Sequence, residues 1–235
     1  MDLLNNEMSS IVVIPARGGS KRIPKKNIRE FAGKPIIAWP IEVALASQLF
    51  DKIIVSTDDD EIANIVETLG ASAPFRRQSD LADDFADTKS VVVNAIKELS
   101  LSDDSSADVC CIYPTSVFLT AELLVKGLKN LSSASFSFAM TNLDPVFLRS
   151  FTQTEEGRVK MLFPENYSVR TQDLPKIFSD AAQFYWGNVR SWQSDKPVIG
   201  PDSVGVFIDS SRVQDIDTEQ QWLSAEAKFL KQRKG

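Results

Sequence analysis

The apolar run Ile11-Val12-Val13-Ile14 passes without a break into Pro15-Ala16-Arg17-Gly18-Gly19-Ser20-Lys21-Arg22-Ile23-Pro24-Lys25-Lys26-Asn27. Mostly β-branched residues with no polar alternation fit a strand buried on both faces, as in a parallel sheet. Gly18-Gly19-Ser20 lets the backbone turn sharply and present its N–H groups to a ligand. Six basic residues and no acidic one lie between Arg17 and Arg29, in a chain whose formal net charge is −6. A positive island on a glycine-bearing loop suits a polyanion such as a triphosphate. By composition alone it is equally a solvated face or a nucleic-acid patch. No Gly-Lys-Ser/Thr closes the loop, so it is not a Walker A loop. Gly-x-Gly-x-x-Gly is absent, so it is not a dinucleotide fingerprint.

The segments that follow alternate between strand and helix patterns. Pro35 suits the first position of a helix over Ile36 to Ser47, with Pro40 distorting its opening turns. Lys52 to Thr57 reads as a second buried strand. It leads through Asp58-Asp59-Asp60, which suit capping more than metal binding, into a helix over Glu61 to Leu69. Ala73-Pro74-Phe75 is a candidate short strand. Val91, Val92, Ala95, Ile96 and Leu99 recur at helical spacing, and Val109 to Tyr113 is another buried strand. A helix over Ala121 to Leu131 and a strand through Phe136, Phe138 and Met140 continue the alternation. The implied fold is α/β, with a mostly parallel central sheet covered on both faces. Ligands of such sheets sit beyond the carboxyl ends of the strands. The loop at Arg17, the segment at Arg77 and the turn at Pro114 therefore converge.

From Asn142 to Asp180 the pattern breaks, with turn signals at Asp144-Pro145, Glu156-Gly157 and Phe163-Pro164 and with Phe147, Phe151, Phe163 and Tyr167 interspersed. About forty residues of plain loop is improbable in a compact domain. The stretch 142–182 is read as an inserted arm that buries its apolar residues against a second copy of the chain, between core segments 1–141 and 183–235. Sheet pattern resumes at Gln183 to Trp186 and at Val204 to Ile208, and a last helix spans Thr218 to Lys231.

A pI near 4.9 argues against nucleic acid and anionic membranes as partners. Residues 1–10 do not read as a signal peptide, and no apolar run approaches a membrane span, so the expected location is the cytoplasm. The adjacent Cys110 and Cys111 fit a packed strand. The chain has no histidine, which excludes Ser–His and Cys–His triads and His-ligated zinc. Catalysis must then rest on carboxylates, cations, oxygen-bound metal ions or positioning. Asp215 and Asp217 flank one apolar residue, and in extended backbone both point the same way, so one Mg²⁺ or a pair could engage them. Spacing alone favours a helix cap by Asp217 or Thr218, since Thr218 with Gln221 fits a capping box.

Arg17-Gly18-Gly19-Ser20-Lys21, followed by Lys26-Asn27, resembles the signature of the CMP-sugar synthetases, cytidylyltransferases that activate sialic acid and its relatives. The resemblance runs from Ile11 to about Phe229 and implies a Rossmann-like nucleotidyltransferase fold with an inserted dimerisation arm. It implies that Arg17, Gly18, Gly19, Ser20 and Lys21 cradle the phosphates of CTP, that Lys26 neutralises the α-phosphate, and that Asn27 contacts the ribose or base. Arg77 to Thr88 is similar to the family's cytosine-reading segment, with Arg77, Ala86 and Thr88 at the base; by residue type alone Arg77 is a surface arginine. Asp215-Ile216-Asp217 resembles the family's metal motif, and Arg17, Lys26 and Asp217 would be the catalytic set. Arg170-Thr171-Gln172-Asp173-Leu174 and Asp180-Ala181-Ala182-Gln183-Phe184-Tyr185-Trp186-Gly187 are similar to the branch that activates pseudaminic acid for flagellin or surface polysaccharide. Ala182, Pro114, Ser116 and Val117 depart from its pattern, which bears on the sugar and not on the reaction. The nonulosonic acid would then meet Tyr113, Thr115, Arg170, Gln172, Asp173, Gln183 and Tyr185, with Arg170 facing the sugar carboxylate or bridging two subunits. Branches that activate sialic or legionaminic acid are the near rivals. A sugar-nucleotide-dependent glycosyltransferase is the rival from another class.

Overall fold

A computed structural model of the chain describes residues 10–78, 87–101 and 107–234. Six strands form the main sheet: β1 (Ser10–Pro15), β4 (Lys52–Ser56), β5 (Asp108–Ile112), β6 (Phe136–Leu143), β9 (Ile177–Asn188) and β10 (Ser203–Phe207). Their order across it is β10-β6-β9-β5-β1-β4. Five run parallel, and β9 is antiparallel to both β5 and β6.

The sheet is buried on both faces, which is why its strands read as apolar runs and not as alternations. Val12, Ile14, Val55 and Cys110 point to one face, beneath α1 (Ala38–Ser47), α2 (Asp60–Thr68) and α4 (Ala121–Asn130). Val13 and Cys111 point to the other, beneath α3 (Thr88–Glu98) and α5 (Val189–Gln193). The neighbouring cysteines therefore face opposite sides of one strand, and both are free and buried. A third apolar cluster joins Ile23, Phe31 and Ile36 to Ile216, Trp222 and Phe229, the last two from α6 (Glu219–Lys234).

Two local expectations are corrected. Pro35 does not open a helix, because Ala32 and Gly33, both at positive φ, turn the chain into a small hairpin of β2 (Glu30–Phe31) and β3 (Lys34–Pro35). The helix starts at Ala38, which leaves Pro40 in its first turn, where a missing N–H removes no intrahelical bond. Ala73 to Phe75 is not a strand. Only single parallel bridges, Ile54 with Ser72 and Thr57 with Arg76, extend the sheet edge there.

Strands β6 and β9 run past the sheet into the stretch 142–182, with Asn142 paired to Phe178 and Leu143 to Ile177. Beyond them the chain makes short helical turns and a hairpin of β7 (Phe151–Gln153) and β8 (Val159–Met161). Phe151 is 62% exposed and Tyr167 73%, and Phe147, Val159 and Leu162 are also exposed. Among the described residues no helix is long and apolar enough to cross a membrane.

Candidate functional site

The parallel direction of β1, β4, β5 and β10 sends their following loops to one edge of the sheet, and β9, running the other way, begins there. That topology brings five separated segments together: the loop after Pro15, Thr57 to Asp59, Tyr113 to Ser116, Ala181 to Gln183, and Asp215 to Asp217. Two neighbouring cavities result. One, of about 380 Å³, is lined among others by Arg17, Ser20, Lys26, Asn27, Arg77 and Thr88. The other, of about 310 Å³, is lined among others by Ala182, Gln183, Gln214 and Asp215. Lys26, Tyr113, Thr115 and Asp217 border both.

The glycine-bearing loop is held by close approach. The Gly18 N–H donates to Asp58 Oδ1 at 2.9 Å, and a Cβ on Gly18 would lie 2.4 Å from Asp59 Oδ2. Asp59 caps α2 through the Ile62 N–H, as the spacing predicts, and Asp60 in its first turn pairs with Arg76, whereas Asp58 holds the glycine-bearing loop and does not cap. Asn27, expected against the nucleotide, is buried and donates its Nδ2 to the Arg17 carbonyl at 2.9 Å, pinning the loop while it borders the cavity. Arg17, Ser20, Lys21, Arg22 and Lys26 enclose a further cavity in which four cations converge.

Lys26 reaches across to the C-terminal segment. Its Nζ donates to the Ile216 carbonyl at 3.0 Å and lies 3.2 Å from Asp217 Oδ1. Arg22 Nη1 stands 3.0 Å from Asp217 Oδ2. Arg22 was not among the expected site residues, although its place in the basic run was the available signal. The capping alternative resolves in favour of Thr218. The Gln221 N–H donates to Thr218 Oγ1, and Gln221 Oε1 accepts from the Thr218 N–H. The Asp217 carboxylate is thus spared from capping and faces the cations. Among the described residues no group of three or more acidic or cysteine side chains is placed to hold a metal. Asp215 and Asp217 both line the second cavity, and two carboxylates are a residue type that could hold a hard cation.

Arg77 is buried, and its Nη2 donates to the Ser56 carbonyl at 2.7 Å, so it is no surface arginine. Desolvation lowers its guanidinium pKa, and the neighbouring Asp58 partly offsets that. Thr88 opens α3 and shares a hydrogen bond with the Tyr113 hydroxyl. Burial pushes the Tyr113 hydroxyl up. Ala86 lies outside the described residues.

On the second cavity's side, Gln183 is oriented by donating Nε2 to the Arg212 carbonyl at 2.9 Å. Tyr185 borders neither cavity. Its hydroxyl donates to Asp180 Oδ2 at 2.6 Å, its ring packs 5.4 Å from that of Tyr113, and burial drives its pKa well above the ordinary phenol value. Asp180 Oδ1 accepts from the Ala182 N–H at 2.9 Å, and Ala182 sits at φ 48, where β6 and β9 lose register. Asp180, also not anticipated, shapes the wall on which Ala182 and Gln183 lie. Arg170, Gln172 and Asp173 are exposed on the stretch between β8 and β9 and border neither of the two cavities.

The chain is 39% identical over 215 residues to the pseudaminic acid cytidylyltransferase of Campylobacter jejuni serotype O:2, covering 91% of this chain and 93% of that one. It is 40% identical, with the same coverage, to its namesake from serotype O:23/36. Among solved structures it resembles a CMP:2-keto-3-deoxy-manno-octonic acid synthetase complexed with CTP, at a TM-score of 0.70 and 15% identity over 95% of this chain and 99% of that one. At that identity the likeness shows a shared fold. A family model described as cytidylyltransferase matches residues 11–207, from the first strand through β10. The chain belongs to the cytidylyltransferase family.

Proposed function

We propose that the protein transfers CMP from CTP to the anomeric hydroxyl of pseudaminic acid and releases pyrophosphate. One observation carries the reading: Arg17, Arg22, Lys26 and the spared carboxylate of Asp217 border one cavity, and Lys26 and Asp217 also border the one adjoining it. The near-full-length likeness to pseudaminic acid cytidylyltransferases supports the choice of sugar.

In this reading the anomeric oxygen attacks the α-phosphorus, a new P–O bond forms as the bond from that phosphorus to the α–β bridging oxygen breaks, pyrophosphate leaves, and the hydroxyl proton passes to water. Such a step needs alignment and charge neutralisation more than proton transfer. Arg17, Gly18, Gly19, Ser20 and Lys21 hold the triphosphate, and Lys26 neutralises the reacting phosphate. Arg77 and Thr88 orient the base. Asp215 and Asp217 would hold Mg²⁺, which when bound would supply charge neutralisation at the phosphates. Tyr113, Thr115 and Gln183 receive the sugar, while Tyr185 acts by supporting Tyr113. Arg170, Gln172 and Asp173 serve the sugar pocket of a second copy, docked through the exposed aromatics of the arm in a homodimer. No acidic membrane or nucleic acid takes part, and the reaction is cytoplasmic.

Pyrophosphate release with CTP, compared across pseudaminic, legionaminic and neuraminic acids, tests the proposal. Turnover should be fastest with pseudaminic acid. Turnover of neuraminic but not pseudaminic acid overturns the sugar assignment. Hydrolysis of a sugar-nucleotide donor with no use of CTP would point to a glycosyltransferase instead.

A further inference from the structure

Behind Lys26 and Asp217, two segments far apart in sequence run side by side and are joined rung by rung. Arg29 Nη1 and Nη2 each lie 2.6 Å from an oxygen of Glu219, a two-pronged contact. The same guanidinium lies 4.6 Å above the ring of Trp222, which is 1% exposed. One step further, the Ala32 N–H donates to Glu226 Oε1 at 2.6 Å. Phe31 packs edge-on against both Trp222 and Phe229 at 5.5 Å. Lys26 precedes Arg29 by less than one turn of chain, and Asp217 precedes Glu219 by two residues. The Arg29–Glu219 rung is therefore the next polar tie between the two segments behind the contact between Lys26 and Asp217.

We infer that Arg29 and Glu219 are positioning residues for the transfer: their paired contact holds the segment carrying Asp217 in register against the loop carrying Lys26. The inference rests on the proposed roles of those two residues. A planar guanidinium that meets both oxygens of a carboxylate sets orientation as well as distance, which an ammonium cannot do. The stacked Trp222 face restricts the guanidinium further. Small displacements of a reacting group cost large factors in rate, so a rung two residues away has leverage on the chemistry.

The test uses the full chain with Glu219→Gln, Arg29→Lys, Asp217→Asn and the double variant Glu219→Gln with Asp217→Asn. Turnover is measured by pyrophosphate release. Metal held on the protein is measured by the water-proton relaxation of Mn²⁺ titrated against enzyme saturated with CTP, without sugar. Glu219→Gln and Arg29→Lys should each lower kcat by roughly tenfold and weaken the retained Mn²⁺ signal, while KM for CTP changes by less than about twofold. In the Asp217→Asn background, Glu219→Gln should add no further loss, because it acts through Asp217. Additive losses, or an Arg29→Lys enzyme indistinguishable from the parent, overturn the inference. An Asp217→Asn enzyme with unchanged Mn²⁺ retention instead removes the metal role of Asp217 and the inference with it.

Discussion

The basic loop after β1 and the stretch between β6 and β9 both contain little regular structure, yet they are held by opposite means. The loop is tied to residues about 190 positions away: Lys26 to Ile216 and Asp217, and Arg29 to Glu219. It is also pinned from within by Asn27 and from beside by Asp58. The other stretch bonds mainly to itself, as when the Leu162 N–H donates to the Ser150 carbonyl and Asn166 donates to the Leu148 carbonyl. Its apolar side chains face outward, with Phe151, Tyr167 and Val159 all exposed. The difference teaches what irregular backbone needs: long-range polar anchors where it must place charges to within a fraction of an ångström, or an apolar partner where it must dock.

The comparison breaks most visibly at Lys26. Lys26→Met removes the cation that joins both cavities to Asp217, and kcat should fall by about 10²- to 10³-fold with the fold intact. Pyrophosphate release and circular dichroism check this; a loss below tenfold would leave the loop with a structural part only. On the other stretch, Phe151→Asp places a charge on the exposed hairpin. Sedimentation should show the proposed dimer converted to monomer at micromolar concentration, with the thermal midpoint shifted by no more than about 4 °C. A parent chain that is monomeric at that concentration would remove the second copy from the model of the sugar pocket.

A third position, outside both regions, sets the scale of an ordinary stability effect. Asp108 opens β5 at the end of the sheet away from the cavities, and desolvation raises its pKa from 3.8 to about 6. A folded-state pKa above the unfolded value means the ionised form is disfavoured in the fold. The cost is absent below about pH 4, grows as pH rises through 6, and is full at neutrality. Asp108→Asn should therefore stabilise the protein by about 1 kcal/mol at pH 7 and by almost nothing at pH 4, read from urea unfolding midpoints, with turnover unchanged.

Much of the fold was legible because its signals are local. Buried parallel strands read as apolar runs, α2 and α3 carry aspartates at their N-caps, and Thr218 with Gln221 spells its own cap. The hairpin at Ala32 and Gly33 was missed because Pro35 suits a helix start and a two-residue strand both. Burial of Arg77 and the pairing of Tyr185 with Asp180 were equally invisible, since residue type says nothing about which carbonyl or carboxylate lies opposite.

From the order of residues alone came the α/β alternation, the basic, glycine-bearing character of the loop after Pro15 and the candidacy of the two late acids, all properties of neighbours in the chain. The tertiary structure alone decided the reversed direction of β9, which carries Gln183 to the cavity edge, and the meeting of Lys26 with Asp217. Those depend on how strands are ordered in the sheet and on which side chains meet across it. Such contacts form only when distant segments bury their apolar faces together, and no local propensity encodes them.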